Sequence, residues 1–149
     1  FDGPKIAHLE IAYPYCEDLR KIAVSQAKKL KLRFHSKGTA AVVEGPRFSN
    51  VAESVAFSKM GCDLINMTLY PEVVLAGELG LCYLNISLVT DYDVGIYSRS
   101  KTAPVSIEQV LANFKKNNEK LKKLISEIIK NLPTKRTCDC RAKAERAIM

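Results

Sequence analysis

The sequence has no apolar run near the roughly 20 residues that a helical membrane span requires, so none of its segments reads as one. It has no internal repeat and no low-complexity linker, and its 149 residues read as one domain long enough for a core of its own. No basic-then-apolar leader pattern opens the chain. With neither leader nor span, the expected location is the cytoplasm and no membrane partner is expected. The opening "FDGPKIAHLEIA" also lacks an initiator Met and a clear first element. It reads as a loop running into a strand, which sets the expectation that the chain continues a longer product.

Acidic residues are the minority, 16 against 23 Lys and Arg, for a formal net charge of +7. Such a balance raises a nucleic-acid reading, but the distribution argues against it. The lysines of "AKKLKLR" and "KKNNEKLKKL" fall inside amphipathic helical patterns and are mixed with acids. Aromatics are not interleaved with them as on a base-stacking platform. Solvated helix faces are the expected reading, with no nucleic-acid partner. Abundant Lys with little Gln also fits a heat-adapted protein.

Cysteines are few and scattered. Cys16, Cys62 and Cys82 sit in apolar contexts and read as small buried hydrophobes. Cys138 and Cys140 form a C-x-C in "TCDCRA". Alone, this pair is no zinc site, because no second pair or His cluster in the sequence completes four ligands, and no metal is expected. A disulfide between Cys138 and Cys140 would close a small, strained ring. Both readings stay open: free thiols in an ordinary cytosol, a disulfide in a hyperthermophile.

Periodicity organises the rest. "KIAHLEIA" (5–12) alternates as a strand. Glu17 to Leu30 carries a helical stripe. "LRF" and "TAAVVE" read as strands separated by a turn at 36–38. Asn50 with Glu53 is a capping box opening a helix that stops at Gly61. "DLINM" is a short strand. Pro71 and Glu72 suit the first turn of a helix that Gly80 ends. "LCYLNISLVT" (81–90), apolar on both faces, reads as a central strand. Ser106 with Gln109 opens a long helix closed by Pro133. Strands alternating with helices give an α/β layered domain over residues 1–133, followed by a basic tail, 134–149, that holds the C-x-C.

Ligands of α/β sheets collect at the carboxyl ends of strands. Three segments stand there: "EGPRFSN", "NMTLYPE" and "TDYD". Asp91 and Asp93, two apart in extended chain, point to one side. Two sheltered carboxylates push one pKa up, and a raised carboxyl can donate a proton at neutral pH; alternatively Asp91 caps a turn and Asp93 is solvated. Thr68 either orients an anion at a helix start or is an ordinary helix-start Thr. Phe48 stacks on a flat ring or packs in the core. His8, alone in a strand pattern, is commonly a hydrogen-bonded structural residue.

Taken together, "VVEGPRFS", "NMTLYPEVVLA" and "LVTDYD", in this order and at these spacings, resemble the 5′-methylthioadenosine phosphorylases of the purine nucleoside phosphorylase superfamily. "AHLEIAYPY", "SKGTAAVVEGPRFS" and "APVSIEQVL" add to the resemblance, which covers roughly residues 1–132. It implies a three-layer α/β/α fold with a mixed central sheet, of which this chain is the C-terminal half. It implies phosphorolysis of methylthioadenosine to adenine and methylthioribose 1-phosphate, with inorganic phosphate as co-substrate and no cofactor. By the same resemblance Asp91 and Asp93 face the purine N7 and 6-amino group, with Phe48 packed on the base and Ser49 touching it. Met67 lies under the ribose and Thr68 binds phosphate. Ile107, Val110 and Leu111 line the methylthio pocket, and His8 closes it from a neighbouring subunit of a trimer or dimer of trimers.

The chain departs from the family in length. Family chains carry a glycine-rich phosphate loop, an Arg-His pair and a further Thr in their N-terminal half, so a missing half or a partner chain is expected to complete the phosphate site. Tyr13 stands where relatives usually have an acid, and the loop "VGIYSRSKTAPVS" differs. Two alternatives accompany this reading. One is a 6-oxopurine nucleoside phosphorylase, disfavoured because such enzymes tend to carry Asn where Asp91 stands. The other is a nucleoside-binding or assembly module without catalysis.

Overall fold

Each element forms where the local sequence supplies a start, a stripe and a stop. The structure is a computed structural model and describes residues 8–94 and 106–148. In chain order the elements are α1 (Glu17–Lys29), β1 (Ala40–Val42), α2 (Val51–Lys59), β2 (Leu64–Asn66), α3 (Leu69–Glu78), α4 (Ile107–Lys130) and α5 (Cys140–Ala147). The described chain divides into two units: residues 8–34, 69–86 and 124–148 form unit one, and residues 35–68, 87–94 and 106–123 form unit two.

In unit two, β1 and β2 pair in parallel, with Ala40 opposite Leu64, Ala41 opposite Ile65 and Val42 opposite Asn66. Parallel neighbours need a crossover, and α2 supplies it. The ladder is pinned at its start by the Thr39 N–H donating to the Asp63 carboxylate at 2.7 Å. It is prolonged at its end by the Val43 N–H donating to Asn66 O at 2.9 Å. The capping box of α2 is complete. The Glu53 N–H donates to Asn50 Oδ1 at 3.0 Å, and the Asn50 N–H donates to the Glu53 carboxylate at 2.9 Å. The helix stops before Gly61, whose φ of +81° suits a residue without Cβ. At the other end of the unit, the Gln109 N–H donates to Ser106 Oγ at 3.2 Å and opens α4.

In unit one, Ala27 of α1 meets Leu124 and Ile128 of α4, and Ile22, Ala23, Leu30, Leu32 and Ile86 pack around them. Leu124 and Ile128, four apart, share one helix face. The helical part of α3 starts at Pro71, because Tyr70 is extended (φ −105°, ψ 131°). It ends at Gly80, where a positive φ of +63° coincides with close approach: a Cβ would meet the Arg141 backbone at 3.2 Å. The basic tail is not loop throughout. It forms α5, which packs on α3.

The chain is α/β, as its alternation implies, and most expected starts and stops stand where the sequence puts them. The sheet is smaller than expected. Among the described residues it is the two-stranded β1–β2 ladder. The expected strands at 8–12, 32–34 and 81–90 are not formed there. A strand exists only with neighbours to bond, and the mixed central sheet implied by the resemblance draws on strands of the family's other half. The apolar stripe of α4 is likewise only partly covered. Leu124 and Ile128 are buried while Ile107, Leu111, Phe114 and Ile125 are exposed. Residues 5–7 of the first expected strand and residues 95–105 of the divergent loop lie outside the described residues.

Lysines on the helices pair locally with acids, Lys122 with Glu119 at 2.9 Å and Lys130 with Glu127 at 2.8 Å. Such exposed i,i+3 pairs contribute little to stability. The core carries more. Leu124→Ala is expected to lower the unfolding free energy by about 2–5 kcal/mol, and Asn50→Ala, which removes the cap, by about 1 kcal/mol. Urea denaturation measures both. Equal, small losses would show that the α1–α4 cluster is not the core of its unit.

Candidate active site

The parallel register of β1 and β2 sends both strands out of the same edge of unit two. Two of the three expected site segments therefore emerge side by side. They touch: a Cβ on Gly45 would lie 3.0 Å from Met67 Sδ and 3.8 Å from Met67 Cβ. A side chain at position 45 would crowd the Met67 thioether, which would have to give by a few tenths of an ångström.

That loop is fixed from below. The Arg47 guanidinium forks onto the Glu53 carboxylate, with both N–H···O distances 2.7 Å. Glu53 also closes the helix cap through Asn50. One carboxylate thus holds the loop and starts α2. The Arg47 hydrogen bonds first, then the Asn50 N–H, draw the Glu53 carboxyl down from its ordinary 4.5 to about 2. Next to Arg47, Phe48 is exposed and Ser49 is buried. The loop presents an aromatic face outward and a hydroxyl inward.

Thr68 follows β2. Its backbone N–H donates to Asn66 Oδ1 at 2.7 Å. Its hydroxyl lies 3.5 Å from the same oxygen, too far to be committed to it. Met67 is partly exposed.

The third segment is held by α4. Asn113 Nδ2 donates to Thr90 O, and Asn117 Nδ2 donates to Asn113 O at 3.1 Å. The Thr90 hydroxyl donates to the Asp91 carboxylate at 2.6 Å. Asp91 and Asp93 are half-buried and Tyr92 between them is exposed, the alternation that extended chain requires. Ile107 and Leu111, on the first turns of α4, expose much of their apolar surface, and Val110 is half-buried.

Three polar atoms of the unit stand out. Ser49 Oγ, Ser54 Oγ and Asp93 Oδ2 are buried and make no hydrogen bond among the described residues; Ser54 lies in the first turn of α2, the other two in the expected site segments. Buried polar atoms are nearly always paired, and an orphan costs about 1–3 kcal/mol. The structure joins the Phe48–Ser49 loop to Met67, and Asp91 to α4. His8 belongs to unit one. Its backbone N–H donates to Ala147 O at 2.9 Å, and it lines an open cleft with Leu9, Ile11, Val74 and Glu78.

Sequence reasoning missed Arg47 and Asn113. Arg47 lies six residues from Glu53, a spacing no helical or strand rule flags, and Asn113 lies on a stripe read for its apolar positions alone. It also missed a sulfur cluster. The sequence offered zinc only a lone C-x-C; in unit one Cys138 and Cys140 are joined by Cys16 and Cys82, giving four thiols able to ligate a metal. In this structure all four are free thiols. Burial pushes the Cys82 thiol up to about 11 and Cys140 higher still. At Cys138 burial acts the same way, but hydrogen bonds from the Cys140 backbone and the neighbouring thiols outweigh it and draw that thiol down.

Residues 1–130 match the model of the family described as "Phosphorylase superfamily". The chain is 49% identical over 140 residues to an S-methyl-5′-thioadenosine phosphorylase of Pyrococcus horikoshii, covering 94% of this chain and 52% of the relative. It is 42% identical over 149 residues to the enzyme of that name from Thermofilum pendens, covering 100% and 55%. In three dimensions it is similar to methylthioadenosine phosphorylase from Schistosoma mansoni in complex with adenine. There the TM-score is 0.87 at 28% identity, over 99% of this chain and 59% of that one. The chain spans about half the length of the curated relatives it matches.

The Arg47–Glu53 pair generates a prediction. A depressed folded pKa stabilises the fold above the ordinary value of 4.5 and loses that contribution as pH falls through about 2. NMR titration is expected to place the Glu53 midpoint near 2 and to move it upward in Arg47→Ala, with faster amide exchange over residues 44–50. A Glu53 midpoint unchanged by the substitution would show that Arg47 does not hold the loop.

Proposed function

This chain belongs to the phosphorylase superfamily, and we propose that the protein it is part of carries out phosphorolysis of 5′-methylthioadenosine. An oxygen of inorganic phosphate attacks the anomeric carbon. The bond from that carbon to the purine nitrogen breaks, giving adenine and 5-methylthioribose 1-phosphate. The transition state has oxocarbenium character, so the site must take up charge on the departing purine.

The observation that carries this reading is that two of the three buried unpaired atoms among the described residues are Ser49 Oγ and Asp93 Oδ2. Both lie in segments that the resemblance assigns to the base. A purine supplies what they lack: a 6-amino N–H for the carboxylate and ring nitrogens for the hydroxyl. Asp91, in its protonated form, donates to N7 as that nitrogen gains charge, and its 2.6 Å bond from the Thr90 hydroxyl fixes the carboxyl for the task. Phe48, exposed on the anchored loop, packs on the purine face. Met67 supports the ribose. The uncommitted hydroxyl of Thr68 contacts phosphate. Ile107, Val110 and Leu111 offer an apolar wall suited to S–CH3.

The remaining phosphate ligands come from the other half of the protein. No cofactor is needed for this displacement. His8 closes the methylthio pocket from a neighbouring subunit of a trimer or dimer of trimers, with the cytoplasm as the location. Names of relatives at 42–49% identity support the substrate class.

The full-length protein is expected to release adenine from methylthioadenosine only when phosphate is present, as followed by chromatography. Release without phosphate, or none with it, overturns the proposal. Asp93→Asn supplies an NH2 donor where a carboxylate accepts from the 6-amino group. It is expected to lower kcat/KM for methylthioadenosine by about 1–3 kcal/mol of transition-state energy. The ratio for the corresponding 6-oxopurine nucleoside should rise. Equal losses on both substrates would remove Asp93 as the discriminator of the 6-position.

A further inference from the structure

Four sulfurs converge in unit one. The Sγ atoms of Cys16, Cys82, Cys138 and Cys140 all lie within 4.8 Å of one another, with Cys82 and Cys138 3.3 Å apart. Cys16 is buried at 3% exposure and the other three are half-buried. The fifth cysteine, Cys62, belongs to unit two.

The grouping is built by three separate chain segments, and each is fastened to another beside a cysteine. The Cys16 N–H donates to Tyr83 O, one residue after Cys82, at 2.8 Å. Arg136, two residues before Cys138, donates to Gly80 O, two residues before Cys82, at 3.1 Å. The Thr137 hydroxyl donates to the carboxylate of Asp18, two residues after Cys16, at 2.6 Å. Cys16 caps α1 and Cys140 opens α5.

Four-way proximity is the arrangement a tetrahedral ion requires. Zinc in a tetrathiolate site has Zn–S bonds of about 2.3 Å, which sets S···S edges of about 3.8 Å. Sulfurs already gathered within 4.8 Å need only small shifts to reach it. We propose that Cys16, Cys82, Cys138 and Cys140 form a structural Zn2+ site. Each thiol gives its proton to solvent and its sulfur donates an electron pair to the ion. Four S–H bonds are replaced by four Zn–S bonds and nothing is oxidised or reduced. Because protein fills all four positions, the site is closed to water and substrate and serves stability. It ties the C-terminal tail to the start of α1 and to the segment after α3.

The test uses the full-length protein, purified anaerobically in reducing buffer, loaded with Zn2+ or Co2+ and freed of excess metal. One zinc per chain is expected by mass spectrometry of the metal. The Co2+ form should show the intense visible bands and the sulfur-to-cobalt charge transfer of a tetrahedral tetrathiolate. Both signatures should be lost in Cys82→Ser and in Cys138→Ser and kept in Cys62→Ser. The wild-type cobalt spectrum does not depend on the variants folding, so it decides alone if they do not. No bound metal in folded wild-type protein, a cobalt spectrum of oxygen and nitrogen ligands, disulfides mapped among the four cysteines in that same reduced preparation, or equal loss in Cys62→Ser would overturn the proposal.

Discussion

Parallel pairing of β1 with β2 is the constraint on which the candidate site depends. Antiparallel strands would send their following loops to opposite edges; parallel ones deliver both to the same edge. Three residue pairs set this register, and α2 makes the return crossing that parallel order demands. The loop after β1 and the residues after β2 then meet at Gly45 and Met67. A methyl group at position 45 would press on the Met67 sulfur.

Glu53 links this geometry to the helix below it. The same carboxylate caps α2 and holds Arg47, so the shape of the Phe48 loop and the start of the helix are one structural event. Unit two thereby combines a firmly held frame with three buried polar atoms that lack partners among the described residues, two of them in the site segments. A fold selected for stability alone would pair them or replace them with carbon. Polar atoms left unpaired on an anchored frame are the kind of local conflict that proteins retain where a ligand completes the bonding.

Local chemistry was legible in the sequence. The Asn50–Glu53 box, the Ser106–Gln109 start, the stops at Gly61 and Gly80 and the strands at 40–42 and 64–66 depend on residues a few positions apart, and they stand where periodicity and capping put them. Strands at 8–12, 32–34 and 81–90 depend on distant partners, which no local pattern contains. The site divides the same way. The opposed facing of Asp91 and Tyr92 follows from strand period, whereas the bracing of Thr90 by Asn113 joins residues 23 apart. The tail helix α5 carries few apolar residues and gave no stripe to read; packing of Ala144 and Ala147 secures it.

The sulfur cluster has a consequence in time. Cys82 and Cys138 are 56 residues apart, and a ribosome adding about 5–20 residues per second needs roughly 3–11 s to cover that distance. Through that interval Cys16 and Cys82 are already outside or near the exit while their two partners do not yet exist. If the four sulfurs share a zinc ion as proposed, the early pair must stay uncommitted until Cys138 and Cys140 follow. The cluster is then completed only after residue 140 has been made, and a nascent chain halted before residue 138 would hold Cys16 and Cys82 without their two partners.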